Sequence, residues 1–252
     1  MSTATAVEAG LYVYGITDAE DGLDTALPGI EGAEVECLVA DGVAAIVSRR
    51  SQTRVRAQRA NLAAHHKLLQ HLVQRQAVLP CAFGMVASDE EQLRTVLRAN
   101  RDELLGQLAL LRGKVEMSLG VYWNTSNIFE FFVADNRALR ELRDRIFRPG
   151  REPSLEERLE LGRRFESLLT ECREQHTREV IDVLRPYCAD IRAIDPAAEQ
   201  MIMKLVCLVS KDRQNRFEEG IQEAARKFDD RYCFKYSGPW APFDFVDVNL
   251  EL

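Results

Sequence analysis

The 252-residue chain is expected to fold as an α+β protein. Three stretches carry that expectation. In residues 114–123, Val115, Met117, Leu119, Val121 and Trp123 alternate with Lys114, Glu116, Ser118, Gly120 and Tyr122. That period of two belongs to a strand with one face on a core. Residues 34–39 and 43–48 flank Ala40-Asp41-Gly42, where Asp-Gly supplies the positive φ angles of a tight hairpin. Beyond Ser154, residues Leu161, Phe165, Leu168, Cys172, His176 and Val180 recur at three- and four-residue steps, the spacing of one helix face.

The elements follow in order. GLYVYGI at 10–16 is β-branched and aromatic, hence a strand, and the acidic, Gly- and Pro-containing residues 18–32 form a loop. After the hairpin, residues 55–76 change to helical spacing through Leu62, Leu69, Leu72 and Val73, and 77–83 is a short apolar strand. A helix opens at Ser88 with the capping-box pair Ser88 and Glu91. Its stripe of Leu93, Leu97, Leu104, Leu108 and Leu111 is expected to run unbroken to Gly113. With the strand at 114–123, the order is βββαβαβ, which suggests a ferredoxin-like sandwich. Residues 125–188 are helical with interruptions at Pro149-Gly150 and Pro153, and Ser154 and Glu157 form a second capping box. Strands at 189–195, 201–209 and 232–236 and a helix near 212–228 complete the chain. Residues 201–209, apolar except for Lys204, read as a central strand covered on both faces. Two domains are expected: 1–124, ferredoxin-like, and 125–252, α+β with long helices.

Composition narrows the function. Net charge is −7, which argues against general nucleic-acid binding, and no apolar run is long enough to span a membrane. The N-terminus lacks the charged and apolar regions of a secretory signal, so an intracellular protein is expected. Six cysteines without a C-x-x-C pair read as reduced thiols. Catalytic signatures fail one by one. No two glycines stand in a G-x-G turn, and no G-x-S-x-G elbow is present. The loop DAEDGLD lacks the ligand spacing of a calcium hand. His65, His66 and His71 are not spaced i, i+4, so they read as core or boundary residues with satisfied nitrogens. Cys81, with His71 near in sequence, is the one candidate thiol nucleophile, and simple packing explains it equally well.

Two surfaces stand out. From Gly42 to Ser88 the chain has no Asp or Glu, and Arg49, Arg50, Arg54, Arg56 and Arg59 cluster in it. The plain reading is a solvated segment facing the protein's own acidic bulk; the sharper one is an electrostatic partner surface. Residues 232–245 hold Tyr232, Phe234, Tyr236, Trp240, Phe243 and Phe245, punctuated by Gly238, Pro239 and Pro242. The first three share a strand face and read as core. GPWAPF cannot continue a regular central strand, so Trp240 and Phe243 either lid the core or anchor a partner.

Three stretches together resemble the GvpF/GvpL family of gas vesicle accessory proteins: LYVYGI at 11–16, the His66–Met85 segment HKLL…VLPCAFGM, and the terminal KYSGPWAPFDFV. The last is the most specific, and the likeness extends over nearly the whole chain. Ala82 and Met85 stand where the family also tolerates Arg and Thr, so no role attaches to them. The resemblance implies a modified ferredoxin-like N-terminal domain and a C-terminal α+β domain with helical elements. It further implies a non-enzymatic assembly factor, located at gas vesicles in the cytoplasm, that binds the small hydrophobic shell protein GvpA and helps nucleate or assemble the shell. Other gas vesicle accessory proteins are further expected partners; nucleic acid, membrane and cofactors are not. The family transfers no catalytic residues. The partner-binding candidates are Tyr236, Trp240 and Phe243, with Arg49, Arg50, Arg54 and Arg56. The competing expectation is a small-ligand or enzymatic domain on a ferredoxin-like scaffold.

Overall fold

The computed structural model describes residues 10–19, 27–50, 55–248 and 250. Contacts group the chain into two compact units, each drawn from more than one stretch. One comprises Met1–Met117, Leu208–Asp212 and Gly238–Leu252, and the other Ser118–Cys207 and Arg213–Ser237. A single cut after residue 124 was the expected division; in the structure the C-terminal segment is grouped with the first unit.

The first sheet is built from β1 (Gly10–Asp18), β2 (Glu36–Ala40), β3 (Val43–Arg50) and β4 (Val78–Pro80), in the order β2-β3-β1-β4. A two-residue strand, β5 (Val86–Ala87), also pairs with β1, and all these pairings are antiparallel. The β2–β3 hairpin turns where expected, with Asp41 at φ 49° and Gly42 at φ 91°. Helices α1 (Arg59–Arg75), α2 (Glu90–Ala99) and α3 (Arg101–Leu111) belong to the same unit. From α1, Leu68, Leu69, Leu72 and Val73 are buried with Tyr12, Tyr14, Ile30 and Ile46 of the sheet side. This is the expected α+β sandwich. Leu62, placed on the buried stripe by spacing alone, is only partly covered.

Two local expectations change. The helix read as unbroken from Ser88 to Leu111 divides at Asn100 (φ −107°, ψ 12°), whose side-chain Nδ2 donates to the Val96 carbonyl. An Asn offers its backbone such a local alternative to the helical ladder, which the apolar stripe does not reveal. The cap also moves one residue. Asp89 accepts from Gln92 N at 2.8 Å, and the Gln92 side chain reaches back to Ser88 N.

The strand β6 (Lys114–Trp123), expected to close the first sheet, pairs elsewhere. It lies in a second sheet, ordered β7-β8-β6-β9, with β7 (Asp190–Ile194), β8 (Met201–Ser210) and β9 (Tyr232–Trp240). β8 is interior to that sheet, as its apolar run predicted. β9 continues through Pro239 to Trp240, farther than the prolines suggested. It can do so because it is an outer strand, where a missing N–H breaks no ladder on the open side.

The second unit holds α4 (Ile128–Asp135), α5 (Arg137–Ile146), α6 (Leu155–Leu184) and α7 (Gln214–Ala225). Asn127 and Asn136 cap α4 and α5 through their side chains. The capping box at Ser154 is complete: its Oγ accepts from Glu157 N, and Glu157 Oε2 accepts from Ser154 N. Phe129, Phe132 and Phe165 meet edge to face, with Trp123 against Phe132 at 5.6 Å between ring centroids.

Candidate functional site

The histidines and cysteine that first invite a catalytic reading are parts of a core. His65 is fully buried, and its Nε2 lies 3.2 Å from the Cys81 carbonyl. A carbonyl only accepts, so Nε2 carries the proton and Nδ1 accepts from the Tyr12 hydroxyl at 2.9 Å. Tyr12 in turn accepts from Gly84 N. Both ring nitrogens are therefore satisfied, as expected of a core histidine. Burial lowers the His65 pKa to about 4, with help from the charge of neighbouring His66. Burial likewise pushes the Cys81 thiol up to about 12, the reverse of what a nucleophile needs. His71, the partner considered for Cys81, instead meets Arg75 Nη1 at 3.0 Å. The imidazole near residue 81 is His65, and it touches the carbonyl rather than the sulfur. Among the described residues no group of three His, Cys, Asp or Glu side chains is placed to hold a metal. No helix among them is long and apolar enough to cross a membrane.

Two members of the arginine cluster, Arg49 and Arg50, meet acidic residues of the same chain. Arg49 pairs with Glu36 at 3.1 Å and also with Glu90, and these carboxylates hold its guanidinium further into the charged form. Arg50, whose side chain is 9% exposed, donates to Glu31 at 2.8 Å. That bond pulls the Glu31 carboxyl below its ordinary range. Arg56 is exposed, and its backbone carbonyl accepts from the Asn61 side chain. Arg54 lies outside the described residues. For Arg49 and Arg50, then, the neighbouring acidic residues fit the plain reading of this charge cluster. The acids come from residues 31, 36 and 90, and no local pattern in the sequence pairs them with the arginines.

The aromatic ending divides by exposure. Phe243 is half-buried against the first unit's core, 5.8 Å from the His66 ring and 6.4 Å from His65. Just beyond it, Phe245 is buried, and Asp244 N donates to Glu116 Oε2 at 2.9 Å. This is the core lid. Trp240 and Tyr236 instead rank among the large exposed apolar residues, at 39% and 46%. Tyr232 and Phe234 pack with Phe228, and the Tyr232 hydroxyl meets His176 Nε2 at 3.3 Å. Tyr236 was expected to join them in the core; it does not, and its hydroxyl bonds to Glu218 at the surface. Gly238 is required where it stands. Its φ is +136°, and a Cβ there would meet Met117 Sδ at 2.6 Å and the Glu116 carbonyl at 2.9 Å. The strand end thus keeps Trp240 and Tyr236 exposed while Phe243 and Phe245 turn inward.

A feature no motif announced lies in the first unit. An apolar cavity of about 240 Å³ opens beside β4 and α3, walled by Leu79, Cys81, Met85 and Leu104 and by three residues of the C-terminal tail. Alternation of Val246, Val248 and Leu250 is the one sequence signal that points to it.

The comparisons with known proteins agree over the length of the chain. The family described as gas vesicle synthesis protein GvpL/GvpF matches residues 10–247. Gas vesicle protein F of a Nostoc species is 27% identical over 249 residues, covering 96% of this chain and 100% of the relative. Gas vesicle protein F of Dolichospermum flosaquae is 28% identical, covering 95% and 98%. The crystal structure of GvpF from an Anabaena species superposes with a TM-score of 0.83 at 26% identity, over 96% of this chain and 99% of that one. With the matched family reaching from the first strand to the terminal aromatic segment, the chain belongs to the gas vesicle synthesis protein GvpL/GvpF family.

Proposed function

We propose that this protein is a non-enzymatic accessory factor of gas vesicle formation, one that binds the small hydrophobic shell protein, GvpA, and assists nucleation or assembly of the shell. The observation that carries the reading is the family match across residues 10–247, with relatives named gas vesicle protein F. The physical argument runs alongside it. An apolar subunit that polymerises through strand edges needs a partner that covers apolar surface before assembly. Exposed Trp240 and Tyr236 offer rigid aromatic contacts for that purpose, and the cavity beside β4 offers an apolar seat. Arg56 is an exposed member of the arginine cluster and is available to an acidic partner. The location that follows is the gas vesicle within the cytoplasm. Other gas vesicle accessory proteins are partners of the same kind.

The test is capture of the shell protein, kept soluble, by the purified chain. Retention supports the reading, and its loss in a folded Trp240→Ala, Tyr236→Ala double variant places a contact at the end of β9. No retention by the wild-type chain removes the reading.

A further inference from the structure

We infer that the second sheet carries, where β8, β6 and β9 lie side by side, a binding site for a small ligand with a diphosphate group. The inference goes beyond the proposed binding of the shell protein and does not depend on it.

The site is assembled across three neighbouring strands. Asn124 N donates to the Arg231 carbonyl and Gly238 lies against Met117, so β9 runs antiparallel to β6 and brings Lys235 beside Gly120. Trp123 N donates to the Gln200 carbonyl and Lys211 N to that of Gly113, so β8 is antiparallel to β6 as well. Lys204 thereby falls level with Gly120 on the other side. A cavity of about 350 Å³ opens over this row, and Ser118, Tyr122 and Ser237 line it together with the two lysines. That volume suits a small ligand. The residues that build the site all belong to the second unit. No Asp or Glu is among the described lining residues, in a chain whose net charge is −7.

Gly120 fixes the floor. A Cβ there would meet Tyr122 Cε2 at 2.9 Å and the Tyr122 hydroxyl at 3.0 Å, so the aromatic ring lies back across the glycine. Lys235 Nζ stands 5.0 Å from the centre of that ring, a cation–π contact that keeps the ammonium at the cavity. Neither lysine has a carboxylate partner among the described residues. Two unpaired ammonium groups on one concave surface focus positive potential there. Their separation selects the anion. β8 and β9 flank β6, so the lysine backbones stand two strand spacings apart, about 10 Å. A group with anionic oxygens at both ends spans that gap with less movement of the lysine stems than a single carboxylate requires. A diphosphate is such a group, and lysine binds phosphate oxygens as a point charge.

Isothermal titration calorimetry on the full-length chain tests this with two probes, inorganic diphosphate and adenosine diphosphate, in metal-free buffer at constant chloride. Saturable one-site binding is expected, and the tighter probe tells whether the diphosphate is free or carried by a nucleoside. Lys204→Met and Lys235→Met each keep an apolar stem and remove the ammonium. Each is expected to weaken binding at least about tenfold, the loss of one charge-assisted contact. Gly120→Ala, which displaces the Tyr122 ring, is expected to weaken binding with both lysines still present. No saturable binding of either probe overturns the inference. So does binding left unchanged in lysine variants that keep the wild-type circular dichroism spectrum. Should those variants fail to fold, the wild type with isotopically methylated lysines answers by NMR. Diphosphate is expected to shift the signals of Lys204 and Lys235, and shifts confined to other lysines overturn the inference.

Discussion

Protonation of His65 should destabilise the fold from within the first unit's core. The neutral imidazole fits its site because Nε2–H donates to the Cys81 carbonyl while Nδ1 accepts from Tyr12. A proton on Nδ1 removes that acceptor and places a charge where no water reaches. The folded-state pKa is accordingly depressed, from 6.5 to about 4. The sign follows from linkage: below 6.5 the unfolded chain takes up a proton that the folded chain refuses. This contribution to stability is whole above pH 6.5 and is lost as the pH falls toward 4. Taken to pH 4.5, those two values cost about 2.5 kcal/mol relative to pH 7. His65→Gln supplies a neutral replacement whose amide can donate to Cys81 and accept from Tyr12 at all pH values. Urea unfolding of both proteins at pH 7 and pH 4.5, followed by circular dichroism, isolates the term, because the other titrating groups are shared. The wild type is expected to lose about 2.5 kcal/mol more than the variant over that interval. Parallel losses in the two proteins, or an NMR titration placing His65 near 6.5 in the folded state, would refute the reasoning.

Tyr14→Phe should destabilise the chain by about 1–3 kcal/mol in urea unfolding, because it orphans a buried donor. The Tyr14 hydroxyl accepts from Ile30 N at 2.8 Å and donates to Ser48 Oγ at 3.1 Å. Ser154→Ala removes the Oγ of a complete capping box and should cost about 1 kcal/mol by the same assay. Tyr236→Ala, at the surface, is expected to change stability by no more than about 0.5 kcal/mol while weakening capture of the shell protein. Phe243→Ala, packed on His66 and the core, should cost about 2 kcal/mol or more of stability, seen as a lowered melting temperature.

What could be read from the sequence was what local chemistry decides. Asp41-Gly42 adopts positive φ whatever surrounds it, and Ser154 with Glu157 closes a helix end using four consecutive residues. His65 was legible as a core ring in need of two partners, and Tyr12 and the Cys81 carbonyl supply them. Long-range choices were hidden. Period two in residues 114–123 identifies a strand but not its neighbours, so β6 was assigned to the wrong sheet. The charge run at residues 49–56 gives no sign that Glu31, Glu36 and Glu90 come to meet it. The groove beside β4 was hidden for the same reason, apart from the alternation of Val246, Val248 and Leu250, as its other walls include Leu79, Cys81, Met85, Leu104 and Phe243.

The outer strands carry a further consequence. An open outer strand invites an incoming chain to extend its sheet. Here β4 ends in Pro80 and β9 contains Pro239, so an outer strand of each sheet lacks a donor that an incoming chain would need. At the opposite edges, β2 begins with ion-paired Glu36, and β7 carries Asp190 and Arg192. Such margins discourage the addition of an incoming strand to either sheet.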